Sequence, residues 1–159
     1  MSDRIPMTRA GYDKLKADLD QLHTVELPKI LEGLKRARAE GDLGENAEYQ
    51  GAQESRAMME ARINVLRDKL SRALLIDPAQ MPKDEVAFGS IVRVKDLDFG
   101  DEEEFTLVGA GEEDYDTGKI LSTSPLAQGL MGKKVGQRVQ IEVPQGTLKF
   151  EILEIRFPL

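Results

Sequence analysis

Two stretches of the chain carry apolar residues at alternating spacings of three and four, the pattern of one helix face. The narrow stripes predict two helices that pair antiparallel as a coiled-coil hairpin. The spacing of the first stripe shifts by one residue just before Pro28. A proline at this point can bend a helix without ending it, so we predict one kinked helix rather than two. The stripe positions are Leu15, Leu19, Leu22, Leu27, Ile30, Leu34 and Ala37, then Met59, Ile63, Leu66, Leu70 and Ala73.

The first helix is expected to begin at Thr8 or a neighbouring residue and to end near Gly41. The second is expected to begin near Glu45 and to stop before Asp77. A rise of 1.5 Å per residue from Leu15 to the bend gives an arm of roughly 40 Å. A helix facing a larger core normally has a wider apolar stripe, so the pattern favours a projecting arm over a bundle with the C-terminal half.

After the arm, the hydrophobic period changes to two, which predicts β-strands. The predicted strands cover residues 90–94, 104–108, 119–121, 138–143 and 148–155. Ser124 as N-cap and Pro125 at the first helical position predict a short helix that ends by Gly132. We therefore expect an α+β protein of two domains: a hairpin over residues 1–77, a linker at 78–82, and an antiparallel sheet with one short helix over 83–159.

Composition narrows the possible functions. The chain of 159 residues carries a net charge of −7 and has no cysteine, which excludes disulfides and thiolate metal sites. It shows neither a membrane-length apolar run nor a signal-peptide opening, so we expect a soluble, cytoplasmic protein that does not bind membranes. The acidity argues against general binding to DNA or RNA, although a contact made locally or arranged by a partner stays open.

Two charged features of the chain each have two interpretations. Lys35, Arg36 and Arg38, with Arg56 on the second helix, form a local basic cluster. It is either a solvated helix face paired with nearby Glu32 and Glu40 or a contact for a partner. The acidic runs at residues 101–104 and 112–116 are expected to be solvated turns.

Candidate chemistry is confined to the bend between the helices. Asp42 and Glu45 offer hard oxygen ligands that suit Mg²⁺, but two carboxylates on an exposed bend make a poor metal site alone. They would be useful if delivered to a partner that already holds a metal and a phosphate. The alternative is a capping box in which Asp42 caps the second helix and Glu45 reaches back. His23 is the only histidine, so a usual zinc site or a nucleophilic triad is not expected.

The bend, Gly-Asp-Leu-Gly-Glu-Asn-Ala-Glu-Tyr at residues 41–49, closely resembles the tip of the GreA/GreB family of bacterial transcript cleavage factors, and of its GreA type. Residues 5–8, 86–90 and 124–133 resemble the same family, so the resemblance covers essentially the whole chain. The tip is a specific signal, whereas the heptads alone are not.

The resemblance implies a transcription elongation factor whose FKBP-like C-terminal domain docks on bacterial RNA polymerase beside its secondary channel. The hairpin would enter the channel and bring Asp42 and Glu45 to the active centre, where they help to hold the second Mg²⁺ while a backtracked polymerase cuts its own RNA 3′ end. The factor alone would be no enzyme and would bind no cofactor. By the same resemblance, Gly41, Leu43, Asn46 and Tyr49 would support the tip, and Lys35, Arg36, Arg38 and Arg56 would contact RNA or polymerase.

Two positions depart from the family pattern. Gly44 stands where a side chain, often Ser, is common, and Gln53 replaces a common arginine.

Three rival functions stay open. They are an inhibitor that binds the same channel, a coiled-coil chaperone or scaffold, and a prolyl isomerase, against which we count the lack of Trp and of an obvious aromatic pocket.

Overall fold

The structure is a computed structural model that describes residues 3–40 and 46–158. Its contacts divide the chain into two compact units. The hairpin unit contains residues from Asp13 to Ala73, and the sheet unit contains Asp3–Tyr12 together with the residues from Leu74 onward. Residues 3–12, which the sequence analysis placed in the hairpin domain, therefore group with the sheet.

Three α-helices and one π-helical segment build the arm. Helix α1 (Arg9–Gln21) continues through the π segment (Leu22–Glu26) into α2 (Leu27–Ala39), and α3 is Ala47–Ser71. Thr8 caps α1, because its Oγ1 accepts a hydrogen bond of 3.0 Å from the backbone N–H of Gly11. The predicted start of the first helix is confirmed.

The π segment lies where the apolar stripe slips by one residue. Its last hydrogen bond runs from the N–H of Leu27 to the carbonyl of Leu22, five residues back instead of four. A π turn accommodates one extra residue, so Leu22 and Leu27 can both stay in the stripe. Pro28, which has no N–H to give to the ladder, follows at once. The prediction of one helical stretch with a local fault is confirmed.

The apolar stripes form the narrow seam of the hairpin unit. Leu15, Ala37, Met59 and Ile63 are buried, and the other stripe residues within the helices are half-buried. Ala73 is the exception, because α3 ends at Ser71 and Ala73 lies in a strand. The heptad spacing of apolar residues therefore continues for one stripe position, Ala73, after α3 has ended.

The described residues form a two-stranded and a five-stranded sheet. Strands β1 (Ile5–Met7) and β2 (Ala73–Leu75) form the first. The second has the order β5-β4-β3-β7-β6 and includes the helix α4 (Pro125–Leu130) between β5 and β6 in the chain. Its strands are β3 (Ile91–Asp96), β4 (Glu102–Val108), β5 (Lys119–Leu121), β6 (Arg138–Val143) and β7 (Gly146–Arg156).

The predicted sheet and short helix are confirmed, with one correction. Strand β5 runs parallel to β4, whereas the other pairings are antiparallel. Residues 109–118 connect the two strands and include a short 3₁₀ helix, Tyr115–Thr117. Such a connection is longer than a tight hairpin and can return the chain for a parallel pairing. A second 3₁₀ helix, Pro78–Gln80, lies in the predicted linker.

The core of the sheet unit lies between the five-stranded sheet and α4. Leu107, Leu130 and Phe150 are essentially inaccessible to solvent, and they belong to one cluster of buried side chains. Helix α4 packs closely on β6, since a Cβ on Gly129 would lie 2.6 Å from the Ile141 side chain. The predicted cap is confirmed, because the Ser124 hydroxyl accepts from the N–H of Ala127 at 3.2 Å.

The first turn of α1 is anchored within the sheet unit. The Thr8 hydroxyl donates a short hydrogen bond to the Glu112 carboxylate, and the carbonyl of Pro6 accepts from the N–H of Ala110. Gly109 permits this approach, because a Cβ there would lie 2.5 Å from the Cα of Met7. The expectation that the run at 112–116 is merely a solvated turn is therefore wrong for Glu112.

The run at residues 101–104 is likewise not merely solvated. Arg93 pairs with Glu102 at 2.7 Å and with Glu154 at 3.6 Å, and Arg156 pairs with Glu104 at 3.0 Å. The hydrogen bond to Glu102 is the main cause that raises the pKa of Arg93 above its usual value. These charges lie on the exposed side of the sheet.

No helix of the described ranges is both long and apolar enough to span a membrane.

Candidate functional site at the end of the hairpin

The predicted metal ligands Asp42 and Glu45 lie outside the described residues, as do Gly41, Leu43 and Gly44. The structure shows the helix ends on either side of them. Helix α2 reaches Ala39 with Glu40 as its C-cap, and α3 begins at Ala47 with Asn46 as its N-cap. The geometry of the site is therefore that of the two helix ends that carry the bend.

Asn46 links these two ends. Its side-chain Oδ1 accepts a hydrogen bond of 3.0 Å from the N–H of Tyr49, and its Nδ2 donates one of 2.7 Å to the carbonyl of Ala37. The first bond satisfies a free donor at the start of α3, and the second satisfies an acceptor in the last turn of α2. One amide side chain thus holds the ends of both helices that flank residues 41–45.

This geometry identifies the N-cap of α3. The backbone of Asn46 is extended, with φ −82° and ψ 99°, and the residue at the third helical position is Tyr49 rather than an acid. The start of α3 therefore has its cap from Asn46. The alternative in which Asp42 and Glu45 form a capping box falls on residues outside the described ranges.

Tyr49 has a second partner one turn along α3. The Gln53 Nε2 donates a hydrogen bond of 2.8 Å to the Tyr49 hydroxyl oxygen. The neutral amide of Gln53 is thus engaged with Tyr49. Because the Tyr49 oxygen accepts this bond, its own O–H remains a donor for another group.

The four predicted basic contacts differ in their surroundings. Lys35, Arg36 and Arg38 are exposed on the last turns of α2, and no ion pair joins them to any residue the structure describes. The expected pairing of this face with Glu32 and Glu40 is thus not found. Arg56 pairs with Glu60 along α3 at 3.1 Å. Three of the four cations therefore lie together, close to the end of α2 where the helix dipole favours positive charge.

The described residues offer no metal site of their own. Among residues 3–40 and 46–158, no three or more His, Asp or Glu side chains are grouped so that they could hold a metal ion. His23 is exposed in the π segment, away from any such group. Asp42 and Glu45, the predicted metal ligands, lie outside the residues to which this statement applies.

The sheet unit contains a groove that the sequence did not predict. A groove of about 310 Å³ has Phe105, Tyr115 and Leu126 in its wall, beside the start of α4. The expectation that this half has no aromatic pocket is therefore wrong. The aromatic side chains come from β4 and from the 3₁₀ helix, which are not adjacent in sequence, so spacing alone gave no signal.

Comparison with known proteins gives a consistent family match. A family model described as transcription elongation factor, N-terminal, matches residues 5–74, and one described as transcription elongation factor, GreA/GreB, C-term, matches residues 81–157. The chain is 50% identical over 157 residues to a protein of Thermodesulfovibrio yellowstonii named transcription elongation factor GreA, with 99% of each chain covered.

A second named relative agrees with this match. The chain is 48% identical to the protein of the same name from Prosthecochloris aestuarii, with 98% of each chain covered. Among solved structures, it is similar to the GreA factor homolog 1 (Gfh1) protein of Thermus thermophilus, at 26% identity and a TM-score of 0.46, with 96% of this chain and 99% of that chain covered. The two relatives named transcription elongation factor GreA do not favour a prolyl isomerase or a chaperone.

Proposed function

This chain belongs to the GreA/GreB family of transcription elongation factors, and we propose that it rescues backtracked RNA polymerase by stimulating the polymerase's own cleavage of the RNA 3′ end. In this proposal the hairpin enters the secondary channel and presents Asp42 and Glu45 at the active centre. The protein itself is not a nuclease. Its partners are polymerase and the RNA 3′ end, and its place of action is the cytoplasm.

The observation that carries the proposal is the assignment of the α3 cap to Asn46. The alternative to a functional role for Asp42 and Glu45 was the capping of α3. In the structure another side chain, that of Asn46, caps this helix. Two carboxylates between helix ends that are tied together by Asn46 can serve a partner without loss of the cap.

The donor chemistry of these carboxylates fits Mg²⁺, which binds oxygen ligands and commonly takes one or two carboxylates with phosphate and water. A bound Mg²⁺ would lower the pKa of water and neutralise charge on the phosphate that is cut. The chain's own contribution is to bring two anionic oxygen donors to a place that already holds the remaining ligands.

The basic face of α2 supports the same proposal. Lys35, Arg36 and Arg38 keep their charges available close to the tip, and the RNA 3′ segment or acidic polymerase surface would be their partner. Arg56 is held by Glu60 and contributes less unless that pair opens. A neutral Gln53 beside Tyr49 limits this surface to a small area, which is consistent with short cleaved fragments.

The test uses halted, backtracked polymerase complexes with end-labelled RNA. The cleavage rate in Mg²⁺ is measured without factor, with wild type and with Asp42→Asn, and Glu40→Gln serves as a neighbouring carboxylate control. We expect wild type and Glu40→Gln to accelerate cleavage and Asp42→Asn to lose most of that acceleration while it still binds polymerase. Equal acceleration by wild type and Asp42→Asn would refute the proposed role, and inhibition by both would support a channel-binding inhibitor.

A further inference from the structure

A groove of about 550 Å³, here called the hairpin groove, lies on one flank of the hairpin unit where the π segment faces α3. Its apolar lining comes from Leu22, Ala61, Val65 and Leu66. Leu22 and Leu66 belong to the seam, and both are only half-buried. On this flank the seam is therefore not closed by any residue that the structure describes.

Helix α3 carries more apolar positions than its pairing with one other helix requires. Met58, Ala61 and Val65 form an outer stripe, because their spacings of three and four put them on one face of α3. Met58 is 60% exposed and Val65 is 54% exposed. A helix with one partner needs only a narrow stripe, whereas a wider apolar face is typical of a helix in a bundle. The outer stripe thus has no partner helix within the described hairpin.

The opposite flank of the hairpin is polar at the same level. A groove there has His23, Glu60, Asn64 and Arg67 among its lining residues. Glu60 and Arg67 each lie two residues after a member of the outer stripe, and residues two apart on a helix point to different faces. Beside the π segment, therefore, one flank of the hairpin is apolar and the other is polar.

The hairpin groove also carries one charge of each sign. Asp18 of α1 and Arg62 of α3 both line it, and neither forms an ion pair with a residue in the described ranges. In a twofold dimer a face meets its own copy, so Asp18 of one copy can pair with Arg62 of the other, and the reverse. A face with both charges complements itself, whereas it offers no net attraction to nucleic acid or to an anionic membrane.

The charge of the whole hairpin does not oppose such a contact. Residues 13–73 hold 11 Lys and Arg against 12 Asp and Glu, so most of the net charge of −7 lies in the rest of the chain. Repulsion between two hairpins is therefore weak, although the protein as a whole is acidic.

We propose that the hairpin groove is an interface between two copies of this chain, whose hairpins pack face to face as a four-helix bundle. The outer stripe of each copy supplies the buried apolar surface, and the two pairs between Asp18 and Arg62 fix the twofold arrangement. The interface is a property of the free protein and does not depend on the proposed function.

Sedimentation of the full-length protein over a concentration series tests the apolar part of this interface. Wild type should pass from one chain to two as its concentration rises. Val65→Lys should weaken the association about tenfold or more, because it brings a charge into the apolar contact, and Lys is at least as good a helix former as Val. Leu31→Lys is the matched control, since Leu31 is 40% exposed on α2 but does not line the hairpin groove, and it should associate as wild type does.

Reversal of the two charges tests the twofold pairing. Asp18→Arg and Arg62→Asp each place like charges opposite one another, so each variant alone should associate about tenfold more weakly than wild type. An equimolar mixture of the two variants should regain the association, because every charge then meets the opposite sign on its partner. Recovery in the mixture also shows that both variants are folded.

The proposal would be overturned by a wild type that stays monomeric throughout the series, or by equal weakening in Val65→Lys and Leu31→Lys. A mixture that associates no better than the separate charge variants would also contradict it. If the free protein is monomeric and Val65→Lys binds polymerase more weakly than Leu31→Lys does, the hairpin groove is a polymerase contact instead. The sedimentation experiments contain no polymerase, so their failure would leave the proposed function to its own cleavage assay.

Discussion

Removal of the Asn46 side chain should loosen both helix ends that carry the bend. Asn46→Ala loses the bond from the N–H of Tyr49 and the bond to the carbonyl of Ala37. Loss of an N-cap costs about 1 kcal/mol, and loss of a partly buried hydrogen bond costs about 1 kcal/mol. The expected local cost is therefore about 2 kcal/mol, which corresponds to a change of about 30-fold in an equilibrium constant.

Amide hydrogen exchange at Tyr49 measures this cost where it arises, since exchange reports local opening separately from global unfolding. Asn46→Asp is the matched variant, because it keeps an oxygen that can cap α3 but lacks the Nδ2 donor to Ala37. We expect about 30-fold faster exchange at Tyr49 in Asn46→Ala and a smaller increase in Asn46→Asp. Unchanged exchange at Tyr49 in Asn46→Ala would refute the assignment of the cap.

Two further predictions concern the sheet unit. Gly109→Ala should lower the stability of that unit by about 1–3 kcal/mol, because the new Cβ would meet the Cα of Met7. Thermal unfolding measures the loss, and an unchanged midpoint temperature would contradict the prediction. Arg93→Gln should lower the midpoint only slightly, and less at 1 M salt, because its pairs with Glu102 and Glu154 are exposed. Because the pKa of Arg93 is raised, the stabilisation by its ion pairs is lost only as pH rises through that raised pKa, and Arg93 stays charged at ordinary pH values. A destabilising effect of Arg93→Gln that disappears between pH 6 and 8 would be evidence against this reasoning.

Periodicity was sufficient to predict the long elements. Eleven of the twelve stripe positions lie within the helical stretches or the π segment. The slip between Leu22 and Leu27 predicted a fault in the first helix, and the structure has a π segment there. It could not predict β1 and β2, because three residues show no alternation, and Ala73 of β2 continues the helical spacing by chance. The parallel direction of β5 depends on the path of residues 109–118, which has no periodic signal.

The candidate site was predictable as a motif but not as a structure. Asp42 and Glu45 match a capping box as well as they match a metal-delivering tip, and both residues lie outside the described ranges. The structure adds the cap of α3, which Asn46 provides. The bond between Thr8 and Glu112 joins residues 104 positions apart, so the acidic run gave no sign of it. Long-range pairing of short polar side chains is a tertiary property that composition and spacing do not encode.

The central claim is that Asp42 and Glu45 supply Mg²⁺ ligands to polymerase, and the most direct measurement is the Mg²⁺ dependence of factor-stimulated RNA cleavage in backtracked complexes. Wild type and Glu45→Gln are compared at saturating factor. If the carboxylate is a ligand, Glu45→Gln should raise the Mg²⁺ concentration needed for half-maximal cleavage, and high Mg²⁺ should restore part of the rate. A rate that falls by the same factor at every Mg²⁺ concentration, with an unchanged half-saturation point, would contradict the claim.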